Sequence, residues 1–196
     1  LNSVKDYLET VKAPWGRMLY DLLFTQLSIL SAPKARILDF GSGLGVTANY
    51  YARWYCVTAI EPDMEMIENR YRENDYTQIL GGVEQVGSFS DNFFDIIFCH
   101  NVLEYVNERE PILQSLLRVL KPGGALTNIL GMRTFWALGQ DNSVKLTGEW
   151  YENMLVLETK AAEIDEYRQS AFLNHLLFEK RAKTIQNTNS IETGEI

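Results

Sequence analysis

The residues whose types and spacing most clearly describe chemistry are the run Asp39-Phe40-Gly41-Ser42-Gly43-Leu44-Gly45 and the acid Glu61. Glycines spaced as Gly41-x-Gly43-x-Gly45 let a backbone turn approach a ligand closely, and the helix leaving such a turn presents free N–H groups. Val46 stands where a dinucleotide fingerprint would place its third glycine, and Asp39 sits just ahead of the first. Both features disfavour an NAD-type turn. Glu61 follows Asp39 by about 20 residues, where a carboxylate can accept hydrogen bonds from both ribose hydroxyls of an adenosine-type cofactor. Alone it would read as a solvated turn residue; its distance after this turn makes it a ligand group. Pro62 and Met64 beside it offer either an apolar surface for adenine or, structurally, a helix start and a core contact.

These residues need strands that deliver them to one edge of a sheet. Arg36 to Phe40 reads as a short buried strand entering the glycine turn, and Gly45 to Trp54 as the helix leaving it. Cys56 to Ile60, Thr77 to Leu80, Phe93 to Cys99 and Ala125 to Leu130 are four more strands. Between them, Met64 to Tyr71 and Pro111 to Leu120 are helices, the second with proline in its first turn and Pro122-Gly123-Gly124 as its stop. A loop holds Gly81, Gly82, Gly87 and Ser88. Strands alternating with helices predict an α/β fold with a doubly wound, mostly parallel, Rossmann-like sheet. Helical spacing from Trp15 to Leu30 predicts N-terminal helices before it. Trp150 to Tyr167 reads as a further helix, Ala171 to Lys180 as a late C-terminal strand, and the polar tail from Thr184 as disordered. The expected organisation is one domain over 1–183, with a helical cap at 1–35, a core at 36–130 and a substrate-side part at 131–183, followed by a tail at 184–196.

Composition narrows the classes. A chain of 196 residues with 46% apolar and 22% charged residues is ordinary for one globular domain. No apolar run approaches a membrane span and no secretory pattern opens the chain, so a soluble cytoplasmic protein is expected. The start at Leu1 implies processing or trimming. Cys56 and Cys99 lie in apolar runs and are expected to be buried thiols; with two histidines besides, no metal cluster is expected. The net charge of −8 argues against a large polyanionic partner. The first 36 residues nevertheless carry five basic residues (Lys5, Lys12, Arg17, Lys34, Arg36) against three acidic ones, so a local basic face can survive.

Four segments in order carry a resemblance: Ile37 to Gly45, Ala59 to Ile67, Phe94 to Val106 and Leu116 to Leu126. With them the chain resembles the class I S-adenosylmethionine-dependent methyltransferases of the type 11 group. Phe98 to Val106, the helix Tyr151 to Thr159 and the strand near Phe172 to Phe178 are similar to the bacterial tRNA carboxymethoxyuridine methyltransferase subfamily. The resemblance implies S-adenosyl-L-methionine as cofactor, with Arg17 on its carboxylate and Gly41 and Ser42 at its methionine moiety; Asp39 and Gly43 belong to the same cofactor-binding set. It also implies Glu61 on the ribose, Pro62, Val83 and Glu84 on the adenine side, and His100 closing the site. A guanidinium can hold a free carboxylate through two hydrogen bonds; otherwise Arg17 is a surface cation. Two departures stand out. Gly81-Gly82 replaces a Gly-Asp pair with which many members bind the adenine amino group. The stretch after Leu130 is short, with a strand expected to pair with the last one either lost from the protein or left out of the sequence.

The implied acceptor is a modified tRNA nucleoside or a small molecule, methylated on O or N, with no metal and no membrane. His100 serves as a general base by position or as a pocket wall. A carboxylate acceptor would need no base, only a cation such as Arg133 to orient it. Tyr105 and Trp136 would either stack on a ring or pack in the core, and His175 serves structure. A dinucleotide oxidoreductase and a non-catalytic, cofactor-binding relative are the competing readings.

Overall fold

A computed structural model describes residues 3–27, 34–130 and 174–181. Two helices, α1 (Val4–Lys12) and α2 (Pro14–Leu27), precede β1 (Arg36–Phe40), α3 (Val46–Tyr51), β2 (Cys56–Glu61), α4 (Met64–Glu68) and β3 (Thr77–Leu80). Then follow α5 (Val83–Val86), β4 (Phe94–His100), α6 (Arg109–Val119), β5 (Leu120–Leu130) and β6 (Asn174–Glu179). The six strands form one sheet in the order β3-β2-β1-β4-β5-β6, parallel except for β6, which runs antiparallel to β5. The order reverses between β1 and β4. That switch point opens a crevice at the carboxyl ends of the strands.

Side chains alternate across the strands, so both faces of the sheet are buried. Leu38, Phe40, Ile97 and Cys99 face one way, into a core closed by Ile112, Leu116 and Val119 of α6. Ile37, Ala59, Ile96 and Phe98 face the other way, against Leu23, Phe24 and Leu27 of α2 and Ala48 and Tyr51 of α3. A third cluster, Val4 and Val11 of α1 with Leu44, fastens the N-terminal helices to the glycine turn.

The doubly wound α/β fold is as expected, with local differences. The N-terminal helices are two, with α1 ahead of α2 and started by Ser3, which accepts from Asp6 N–H at 3.1 Å. Residues 83–86 form a short helix inside the expected loop, and β5 begins at Leu120 rather than Ala125. Lys121 precedes a proline and so favours extended backbone, which ends α6 ahead of Pro122. The register then slips between Phe94 and Ile96, so residues 121–124 bulge. Lys180 pins this bulge: its N–H donates to the Gly124 carbonyl at 3.0 Å, and its ammonium donates to the Leu117 and Leu120 carbonyls at 2.8 and 2.6 Å. The late strand is thereby tied to the end of α6. Cys56 corrects the expectation of two buried thiols; as the first residue of β2 it is exposed. Cys99 is buried, and burial pushes its thiol up to about 12, which makes it unreactive.

Among the described residues no helix is long and apolar enough to cross a membrane, and no acid, histidine and cysteine cluster could hold a metal. The expected helix over 150–167, Arg133, Trp136 and the 184–196 tail lie outside the described residues. So does the interval in which a strand was expected to be missing.

Candidate active site

The glycine turn joins β1 to α3 at the switch point. Gly41, Gly43 and Gly45 have φ of 74°, 52° and 67°, the left-handed region that side chains disfavour. At Gly41 a Cβ would also collide with the Val102 side chain, so the position has two reasons to be glycine. The N–H groups of Gly41 and Ser42 both donate to the Ile60 carbonyl, at 2.9 and 3.0 Å. This docks the turn on the end of β2.

Both acids singled out in the sequence hold this turn. Asp39 is 3% exposed and Glu61 7% exposed. The Asp39 carboxylate accepts from Ala48 N–H at 3.0 Å, in the first turn of α3. Gly45, at the cap position, has no side chain to do so, and Asp39 supplies the missing acceptor from the neighbouring strand. Glu61 accepts from Gly43 N–H at 2.7 Å with one oxygen and from Asp63 N–H at 3.0 Å with the other. Each oxygen keeps a further lone pair.

Burial pushes the Asp39 carboxyl up to about 7; the Ala48 bond opposes this and the Glu61 charge adds to it. Glu61 is raised by burial, against the pull of the Asp63 and Gly43 amides and with the Asp63 charge adding. The ion pairs among the described residues, Arg118 with Asp91 and Lys121 with Asp95, involve neither acid. Two buried carboxyls without a cationic partner suit a ligand that brings positive charge and disfavour an anionic pyrophosphate. The buried Ser42 hydroxyl, which has no hydrogen-bond partner among the described residues, adds a polar group for that ligand.

On the β3 side, Pro62 is exposed and Met64 is 48% exposed, so the core role weighed for Met64 does not apply. Leu80, 47% exposed, stands in register with Glu61 and extends the apolar surface at this rim. Val83 is partly buried against the α6 side of the core. Glu84 turns back to accept from Gly82 N–H at 2.6 Å, which holds its carboxyl below the usual range.

On the β4 side, His100 Nε2 and Thr127 Oγ1 are 2.6 Å apart, and the imidazole lies 5.4 Å from the Phe98 ring. Asn101 follows in left-handed backbone, φ 56°. Tyr105 is 78% exposed, so it is not a core residue. Arg17 is exposed on α2, with its charge acting on Tyr71.

Tyr7 was not foreseen. Its ring lies 3.8 Å from where a Cβ on Gly43 would stand, and its hydroxyl is 3.4 Å from that of Tyr20. Burial raises its pKa, the Tyr20 bond opposes, and Tyr105, Asp39 and Glu61 add to the rise. Tyr7 therefore packs beside the glycine turn from the N-terminal helices. The spacing Val4, Tyr7, Leu8, Val11 marks an amphipathic helix but not the turn it packs on.

The comparisons agree with this geometry. The profile of the family described as "Methyltransferase domain" matches residues 38–127. A human thiol S-methyltransferase is 31% identical over 113 residues, 53% of this chain and 46% of that protein. The Escherichia coli tRNA 5-carboxymethoxyuridine methyltransferase is 31% identical over 118 residues, 56% of this chain and 45% of that protein. The chain thus spans less than half the length of these two curated relatives. A Methanococcus maripaludis structure assigned to the S-adenosylmethionine-dependent methyltransferases shares the fold, with a TM-score of 0.65 at 14% identity over 93% of this chain and 94% of that one. Residues 38–127 thus match the methyltransferase-domain family, and the chain has the Rossmann-like fold of that solved structure around them. The cofactor of this class is S-adenosylmethionine, and the residues at the switch point fit its charge.

Proposed function

We propose that the protein transfers a methyl group from S-adenosylmethionine to a carboxylate on a modified wobble uridine of tRNA, forming a methyl ester. The two buried, cation-free carboxyls flanking the glycine turn carry the methyl-donor part of this reading. When bound, the cofactor supplies an electrophilic methyl on a sulfonium, and transfer to a carboxylate oxygen leaves S-adenosylhomocysteine with no proton to move. Glu61 takes the ribose hydroxyls with its remaining lone pairs, and Arg17 takes the carboxylate. Asp39, Gly41, Ser42 and Gly43 surround the methionine moiety. Pro62, Met64, Val83 and Glu84 form the adenine side. His100, whose Nε2 lies 2.6 Å from Thr127 Oγ1, acts as a wall of the pocket, since a carboxylate acceptor arrives ionised and needs no base. Residues 1–183 act as one domain in the cytoplasm.

The similarity to the E. coli tRNA enzyme supports the acceptor. The net charge of −8 and the thiol-methylating relative favour a second reading, a small-molecule acceptor. Purified protein should be incubated with S-adenosylmethionine and tRNA bearing the free acid, then the nucleosides analysed by mass spectrometry. A one-methylene mass gain that mild alkali removes is the expected result. No gain on tRNA, with methylation of small thiols or acids instead, would move the assignment to the second reading. Absence of S-adenosylmethionine binding by calorimetry would sink both.

A further inference from the structure

A cleft of about 270 Å³ lies between the end of α1 and the segment after α4, lined by Leu8, Lys12, Asn69, Arg70, Tyr71, Arg72 and Glu73. Three cations face one carboxylate there, on a chain whose net charge is −8. The guanidiniums are held in place without acidic partners. Arg70 Nη1 donates to the Ile67 carbonyl and Arg72 Nη2 to the Glu68 carbonyl, each at 2.7 Å. Neither arginine nor Lys12 belongs to an ion pair among the described residues. Among the charges at Tyr71, that of Glu73 acts first and that of Arg17 opposes it, while at Tyr76 the Arg70 and Arg72 charges act against that of Asp39. Within the cleft lining the cations outnumber the acid three to one.

The cleft borders the donor turn without being part of it. Tyr71 N–H donates to the Leu44 carbonyl at 2.8 Å, and a Cβ on Gly45 would stand 3.7 Å from the Arg70 Cβ. Fixed guanidiniums whose remaining N–H groups are not taken by carboxylates suit phosphate oxygens. Negative charge over the rest of the chain would repel a polyanion elsewhere and so orient it here.

We propose that this cleft docks the phosphodiester backbone of the RNA acceptor, with Lys12, Arg70 and Arg72 on phosphates beside the donor turn. The proposal rests on the tRNA reading above. Its test compares the wild-type protein with the Lys12→Glu/Arg72→Glu double variant. Fluorescence anisotropy with tRNA reads affinity against salt, and calorimetry reads S-adenosylmethionine binding. The variant should bind tRNA at least tenfold more weakly, and its slope of log affinity against log salt should be shallower by about 1.5. Its S-adenosylmethionine affinity should stay within about twofold of wild type, which also reports an intact fold. Unchanged tRNA affinity and salt slope in the variant, with wild type binding and methylating tRNA, would overturn the cleft and leave the tRNA reading standing. A wild-type protein that neither binds nor methylates tRNA would overturn both.

Discussion

At the β1–β2 rim of the crevice, buried carboxylates hold backbone N–H groups; at the β4–β5 rim, polar side chains meet one another or find no partner among the described residues. Asp39 and Glu61 accept from Ala48, Gly43 and Asp63. Across the switch point His100 pairs with Thr127, while the buried Oδ1 atoms of Asn101 and Asn128 have no hydrogen-bond partner among the described residues. The first rim is therefore tied to the folded backbone, whereas the described contacts of the second run between side chains. Substitutions at the first should change stability and cofactor binding together, whereas those at the second should separate them.

The largest expected effect is the pH dependence that Asp39 imposes. Its carboxyl rises from an ordinary 3.8 to about 7 in the folded chain. A folded pKa above the unfolded one means that the native state holds the proton more tightly. The associated stability is complete below about 3.8 and is lost as pH rises through about 7, in total about 4 kcal/mol. Glu61, also raised, acts in the same direction. Cofactor-free protein should melt lower at pH 8 than at pH 5.5, and Asp39→Asn, which keeps an acceptor for Ala48 N–H, should recover most of the loss at pH 8. A melting temperature flat across that range would show that burial does not govern this acid.

Glu61→Ala comes next and tests whether one residue does both jobs. Loss of the acceptor for Gly43 and Asp63 should lower the melting temperature of the cofactor-free protein, and S-adenosylmethionine affinity should fall by about 1–3 kcal/mol. Weaker binding with unchanged melting would separate the ligand role from the backbone role. An unchanged affinity would remove Glu61 from the cofactor site.

Why Glu61 and the glycine turn were legible, and Tyr7 was not, follows from where their partners lie. The turn is local: its glycines, the strand before it and the acid at the end of the next strand sit at set spacings, so a linear reading captures them. Tyr7 reaches Gly43 through the packing of α1, and Leu80 joins the rim through its register with Glu61. Neither relation exists in a window of sequence. Cys56 misled because an apolar run marks a strand without showing which of its residues starts outside the core. The beginning of β5 was hidden by Pro122-Gly123-Gly124, which looks like a loop until Lys180, far along the chain, holds it as a bulge.

The smallest expected effect falls on the β4–β5 rim. Thr127 is fully buried, and Thr127→Val keeps its shape while removing the hydroxyl that meets His100. Stability should drop by about 1 kcal/mol, the usual cost of one such hydrogen bond. Because Glu61 and the turn remain intact, S-adenosylmethionine affinity should weaken only about threefold, against roughly 5-fold to 150-fold for Glu61→Ala. Methyl transfer should slow more than cofactor binding weakens, since a loosened imidazole leaves the wall beside the acceptor poorly placed. Calorimetry and single-turnover rates on the two variants would show the asymmetry directly. A Thr127→Val loss of cofactor affinity as large as that of Glu61→Ala would mean that both rims hold the donor equally.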